Sequence, residues 1–298
     1  MEVPIKISIV TNAFNQGRYL EAAMISVLTQ DWQDVEYLVV DPGSNDETPE
    51  IIRALQMKYP GRFIHITEPD DGPADGLNRA FARATGELFG YLNADDLYLP
   101  GCLRAAMETA LRHPEAAAVY ADGYRSNAEG KIVRRVISTK FSPKKFVYGG
   151  ALVLQQSTFY RAEAFRAVGG FNCQNRTSWD AEILLDMTRN GMRLVHVPGY
   201  WSVFRIHPES ITGSQRTATE SHETHARYFH EVMGREKNPI DKFAAKLFLG
   251  YTLLTEPRGL VARVRDRMGP PDIEPSPCNS RDAGLPSQSE NKQDKWRS

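Results

Sequence analysis

The apolar run Leu88 to Leu92 ends in two adjacent carboxylates, Asp95 and Asp96. A short apolar run bounded in this way reads as a buried strand. In an open α/β sheet, ligands bind at the carboxyl ends of strands, which makes a paired acid there a site candidate. Neighbouring carboxylates repel unless protons or a cation lie between them, and a hard divalent metal with its phosphate suits that arrangement. The structural alternative is a solvated turn in which one acid caps a helix opened by Pro100. Asp41 closes a second apolar run, Val35 to Val40, and Asp75 begins an intervening helix. Chemistry on a nucleotide needs a carboxylate for base or ribose hydroxyls and acids that hold a metal against the diphosphate. Acids gathered on one edge of a parallel sheet would supply both. For Asp41 alone, a turn role before Pro42 and Gly43 stays open.

The elements that must position these acids are legible in the pattern. Apolar runs at Ile5 to Thr11, Val35 to Val40, Phe63 to Ile66 and Leu88 to Leu92 alternate with segments of helical spacing up to residue 112. Leu20, Ala23, Met24, Val27 and Leu28 form one such face, and Leu77, Ala80, Phe81 and Ala84 another. Alternation of this kind predicts an α/β chain with a mostly parallel central sheet and helices on both faces. Further strands are expected at Ala116 to Ala121, Gln155 to Tyr160 and Met192 to Val197, with helices at Ala162 to Val168 and Trp179 to Asn190. The basic stretch Arg125 to Lys145 reads as hairpin and loop.

With 298 residues, 41% hydrophobic and 24% charged, the composition is that of a globular protein. A net charge of −1 gives no global field to recruit nucleic acid. The three cysteines are scattered, which argues against a disulfide framework or structural zinc and fits a reducing, cytoplasmic compartment. No run approaches the roughly 20 apolar residues of a membrane span. The common α/β phosphate loops are missing too. There is no Gly-x-Gly-x-x-Gly after the first strand, no Gly-x-x-x-x-Gly-Lys-Ser/Thr and no Gly-x-Ser-x-Gly elbow.

Several runs, taken in order, carry a family resemblance. They are Ser8–Leu20 (SIVTNAFNQGRYL), Val39–Thr48 (VVDPGSNDET), Glu68–Ala80 (EPDDGPADGLNRA), Ala84–Glu87 (ATGE) and Leu92–Gly101 (LNADDLYLPG). Gln155–Arg161 (QQSTFYR), Val168–Asn172 (VGGFN), Trp179-Asp180 and Arg205–Ser210 (RIHPES) continue the series. Over residues 5 to 212 the chain resembles the inverting family-2 glycosyltransferases. The resemblance implies a GT-A fold with a Rossmann-like nucleotide-binding half, residues 1–112, and an acceptor-binding half, residues 113–235.

Residue by residue, the resemblance places Ala13, Asn15, Asp41, Asp75, Arg79, Asn93, Ala94 and Asp95 against the nucleotide sugar. Asn93-Ala94-Asp95 matches the metal-binding Asp-x-Asp, with Asp95 as the direct ligand of Mn²⁺ or Mg²⁺. His207 matches a histidine that reaches the metal or diphosphate, its alternative being an ordinary loop residue. Asp180 matches the general base, with helix capping as its structural alternative, and partial burial beside Trp179 would raise its pKa. Asp96 and Trp179 are assigned to the acceptor, although a core tryptophan is an equal alternative. Some positions depart from the family pattern. Asn12-Ala13 stands where a Pro-Thr or Pro-Ser pair is more usual, Pro42 where Asp or Gly is frequent, and Asn93 where the first metal-motif Asp belongs.

The expected activity is metal-assisted transfer from a nucleotide-diphosphate sugar, a UDP-sugar first, to a glycan or lipid-linked acceptor in polysaccharide assembly. A sugar-phosphate nucleotidyltransferase and a non-catalytic glycan-binding relative are the alternatives. Residues 236–268 form an amphipathic helical segment in which Ile240, Phe243, Ala244, Leu247, Phe248, Tyr251 and Leu254 make a stripe. That stripe either packs on the domain or, with the arginines up to Arg267, lies on the inner face of the cell membrane. Residues 269–298 are polar and Pro-rich and are expected to be disordered.

Overall fold

A computed structural model of the chain describes residues 5–210 and 218–273. The first half runs β1 (Ile7–Asn12), α1 (Gly17–Leu28), β2 (Val35–Val40), α2 (Thr48–Lys58), β3 (Ile64–Ile66), α3 (Pro73–Arg83), β4 (Leu88–Tyr91), β5 (Leu97–Tyr98) and α4 (Cys102–Arg112). The second half runs β6 (Ala116–Ser126), β7 (Ile132–Val136), α5 (Pro143–Val147), β8 (Thr158–Arg161), α6 (Ala162–Ala167), α7 (Trp179–Arg189) and β9 (Arg193–Arg205). Three helices follow, α8 (Ala218–Met233), α9 (Pro239–Thr255) and α10 (Arg258–Met268).

Side chains on successive strand residues point to opposite faces, and the buried residues obey that rule. Ile7, Ile9, Tyr37, Val39 and Leu88 pack under α1, α2 and α4. Val10, Leu38, Val40, Phe89 and Tyr91 pack under α3, α6 and α7. Helices therefore cover both faces, as expected of strands that read as nearly continuous apolar runs.

The strands form one sheet in the order β3-β2-β1-β4-β8-β6-β9-β5, with β7 paired to β6. The four strands β3-β2-β1-β4 are all parallel. Beyond β4 the sheet is mixed: β8 runs antiparallel to both β4 and β6, while β9 runs parallel to β6. Gly90 lets β8 come close, because a Cβ there would lie 2.6 Å from the Phe159 ring.

Two strands exceed their expected length. β6 continues to Ser126 with β7 as its hairpin partner, and β9 continues from Arg193 to Arg205. Pro198-Gly199 looks like a strand end in the sequence, but register shifts beside Tyr120 and Asp122 absorb it as a bulge. Residues 269–273 also differ from the disorder expected: Pro271 is buried, and Pro270 to Ile273 line a cavity with Gly130 and Ile132 of the hairpin. The rest of the expected tail, 274–298, lies outside the described residues.

Candidate active site

The carboxyl ends of the parallel strands lie level with one another, since Asn12 is in register with Val40, Val40 with Ile66, and Val10 with Tyr91. The loops after β1 and β2 are laced together above that edge. Asp41 is buried, and its Oδ1 accepts from the Gly43 and Ser44 N–H groups at 3.2 and 2.8 Å. Ser44 Oγ lies 2.7 Å from the same oxygen and 3.0 Å from the Ala13 carbonyl. Asn15, at φ 51°, accepts at Oδ1 from the Asn45 N–H. Ala13 does not fit its assignment to the nucleotide. It is fully buried, its N–H donates to Val40 O at 2.8 Å, and its carbonyl faces Ser44.

The β4 end carries the acidic loop. Asp95 Oδ2 lies 2.9 Å from His207 Nε2, and the Asp95 carbonyl accepts from Arg205 Nε at 2.8 Å. His207 is 2% exposed, its ring 4.8 Å from the Tyr19 ring, which the Arg205 guanidinium covers at 4.7 Å. β5 makes this possible: Leu97 pairs with Val203 and Tyr98 with Ser202, which brings residues 95–98 beside the end of β9. His207 is therefore no free loop residue.

Three residues assigned from the sequence take other places. Ala94 is a core residue at 1% exposure and offers a ligand no side-chain group. Asp96 is not open to an acceptor: it is buried, Oδ1 accepts from the Arg205 N–H, and Oδ2 accepts from Gln156 Nε2 at 2.7 Å. Burial first, then the Asp95 charge, pushes its pKa well up. Trp179 packs in the core at 7% exposure and also lines a small cavity with Asp71, Pro73 and Arg176.

Asp75 sits in the first turn of α3 and pairs at 2.7 Å with Arg79, one turn further along the helix. Asp75 also accepts from the Asp71 N–H, and Arg79 donates to Pro69 O, so both brace the loop after β3.

Asp180 stands in the first turn of α7, half-buried, in a pocket of about 170 Å3 with Phe146, Leu152, Gln155, Tyr160 and Leu184. Burial raises its pKa above the ordinary 3.8, partly offset by its own N–H and that of Ala181. Gln155 ties this pocket to the acidic loop. Its Nε2 donates to Tyr91 O at 3.0 Å, and its Oε1 lies 3.4 Å from Asn93 Nδ2. The α7 start is itself clamped: Asn175 Oδ1 accepts from the Thr177 and Ser178 N–H groups, and Asn175 Nδ2 donates to Tyr228 of α8.

Gln155, Gln156, Arg205 and Tyr228 had no role in the sequence reading. The first three lie inside runs that carried the resemblance, where polar residues flanked by apolar strand residues were the available signal. Nothing in the sequence pointed to Tyr228.

The sheet is parallel over β3-β2-β1-β4 and mixed beyond, helices cover both of its faces, and Asp41 and Asp95 follow the carboxyl ends of β2 and β4. Solved structures of similar shape are GT-A transferases. One is Staphylococcus aureus TarS 1-349 in complex with UDP-GlcNAc, at TM-score 0.61 and 17% identity, covering 84% of this chain and 72% of that one. Another is the mannosyltransferase PcManGT of Pyrobaculum calidifontis with GDP-Man and Mn²⁺, at TM-score 0.61 and 19% identity, covering 89% and 76%. The family model for glycosyl transferase family 2 matches residues 8–169. The chain belongs to that family, which displaces the nucleotidyltransferase alternative. An uncharacterized glycosyltransferase of Nostoc sp. is 38% identical over 104 residues, 35% of this chain and 32% of the relative. Against the first curated relatives the chain spans 19% to 32% of their length.

Proposed function

We propose that this protein transfers a sugar from a nucleotide-diphosphate sugar to a hydroxyl of a glycan or lipid-linked acceptor, with inversion. Asp180 is the general base. The observation that carries this reading is that Gln155, which lines Asp180's pocket, reaches Asn93 at 3.4 Å, two residues before Asp95, whose Oδ2 lies 2.9 Å from His207 Nε2. Inversion is a single displacement: the acceptor oxygen bonds to the anomeric carbon, its proton passes to Asp180, and the bond to the diphosphate breaks. A carboxylate held half-buried binds that proton more readily than one in water, which suits a base.

Asp95 and His207 are the residues that would hold a Mn²⁺ or Mg²⁺ ion. Among the described residues no group of three or more His, Cys, Asp or Glu is arranged to hold a metal ion, and Glu209 Oε2 lies on the far side of the ring, 3.3 Å from His207 Nδ1. A carboxylate and an imidazole fit an ion that draws its other ligands from substrate phosphates and water. Bound there, the ion would neutralise charge on the departing diphosphate. Asp41 and the laced first loops are assigned to the nucleoside. A UDP-sugar is the first donor to try, because TarS binds UDP-GlcNAc; PcManGT makes GDP-Man the second. Residues 1–112 then serve the donor and 113–235 the acceptor, at the cytoplasmic face of the membrane and without nucleic acid.

The test is donor hydrolysis over a panel of nucleotide sugars with Mn²⁺, Mg²⁺ or chelator. Metal-dependent release of one nucleotide diphosphate is expected. If no sugar is hydrolysed and no nucleotide diphosphate raises Tm with metal present, the non-catalytic alternative takes its place.

A further inference from the structure

The two C-terminal helices dock on the domain by narrow faces and leave wide apolar ones uncovered. α9 packs through Ala244, Ala245 and Phe248 on Tyr148, Tyr228 and Phe229. A neighbouring side of the helix exposes Ile240, Phe243, Leu247, Tyr251 and Leu254, from 58% to 85% exposed. Their spacing of three and four residues sets them in one line along the helix. α10 repeats the pattern, with Ala262 buried and Leu260, Val264 and Met268 exposed.

Charge on this segment is sorted in the same way. The acids of residues 239–268 are Asp241, Glu256 and Asp266, and each turns inward. Asp241 pairs with Arg235 at 2.7 Å, Glu256 with Lys145, and Asp266 with Arg135. Lys242, Lys246, Arg263, Arg265 and Arg267 are exposed, and none takes part in an ion pair among the described residues. Arg258 is the exception among the bases, pairing inward with Asp122 at 2.6 Å. At 100° per residue, Lys242 and Lys246 fall to one side of the α9 stripe, and Arg263 and Arg265 fall on either side of the α10 stripe.

We propose that α9 and α10 form a platform that lies flat on an anionic lipid surface. An apolar stripe bordered by basic residues, with the acids withdrawn, is complementary to acyl chains beneath a negative headgroup layer. A second copy of the chain would present the same basic borders to these and repel them, so the observed charge favours lipid. No helix of the described residues is long and apolar enough to cross a membrane, so the contact is with the surface. Phe141 and Phe146 line the Asp180 pocket and pack on the same cluster as α9, which links α9 to the pocket wall.

The test is co-sedimentation of the full chain with vesicles of phosphatidylcholine, alone or mixed with phosphatidylglycerol. Binding to the mixed vesicles, lost at high salt, is the expected result. Leu247→Glu with Leu254→Glu abolishes it, and Arg263→Ala, Arg265→Ala and Arg267→Ala together weaken it about a hundredfold. All five substitutions are at exposed positions, so Tm holds in both variants. Asp180→Asn binds vesicles as the wild type does, which keeps this result independent of the transfer reaction. Failure to bind the mixed vesicles overturns the proposal. So does a solution oligomer that Leu247→Glu dissociates in a protein indifferent to vesicles, which would assign the stripe to a second copy.

Discussion

His207 Nε2 lies 2.9 Å from Asp95 Oδ2 although 112 residues separate them in the chain. The contact exists because β9 runs eight residues past its expected end and pairs there with the short strand β5. A carboxylate and an imidazole so held are oriented before any ligand arrives, and pre-orientation is what a metal–diphosphate site requires.

Asp95→Asn keeps the side-chain volume and removes the negative charge. The wild type should gain thermal stability from UDP plus Mn²⁺ beyond UDP alone. In the variant that metal-dependent part should disappear, with affinity for the metal–nucleotide pair down about tenfold to a hundredfold. Thermal shift with and without chelator reads this. An undiminished metal effect would remove Asp95 from the ligand set.

Asp180→Asn should lower turnover about a hundredfold to ten-thousandfold and leave donor affinity near that of the wild type. The pH profile follows from the raised pKa. The base works only when deprotonated, so activity rises with pH through that value and is lost below it. The acid limb of kcat should therefore fall at a pH above 3.8, and the variant should lack that limb.

Asp96 supports the site from beneath. Its two oxygens face the N–H groups of Arg205, Gln156 and Asn93, so an amide NH2 in their place would meet donors. Asp96→Asn should destabilise the fold by about 1–3 kcal/mol, read as a drop in Tm. A variant as stable as the wild type would show that Asp96 is not the anchor its contacts suggest.

The start of α9 gives a second pH signature, this time in stability. Arg235 first, then the Asn238 N–H and the Tyr148 hydroxyl, hold the Asp241 carboxyl far below its ordinary value, against the opposing effect of burial. A depressed acid stabilises the fold above its unfolded pKa and loses that contribution as pH falls through the folded value. Asp241→Asn should therefore lower Tm at neutral pH, and the gap from the wild type should begin to close only below about 3.8. A gap independent of pH would show that packing, and not charge, accounts for it.

The first half of the fold was legible because β1, β2 and β4 are largely buried and written as mostly apolar runs. Val35–Val40 matches to the residue, and Leu88–Tyr91 within one. The second half was less so. The Pro198-Gly199 pair hid the continuation of β9, and its partner from the first half, the two-residue strand β5, leaves no periodicity to find. Among the titratable residues that the resemblance marked, Asp95 and His207 lie side by side and Asp180 lines a pocket that Gln155 shares. Ala13 and Ala94 come from the resemblance, and Asp96 and Trp179 from their places beside Asp95 and Asp180; all four are buried. Adjacent strand and turn residues point to opposite sides, so a neighbour of a site residue is as readily core. Gln155 escaped notice because an amide has no chemistry of its own; its role is in what it joins.

The central claim is inverting transfer at Asp180, and the anomeric configuration of the released sugar tests it most directly. Donor hydrolysis by the wild type, followed by proton NMR before the sugar mutarotates, should yield first the anomer opposite to that of the donor. Asp180→Asn should slow its appearance. First appearance of the donor's own anomer, or undiminished release by Asp180→Asn, would contradict the account.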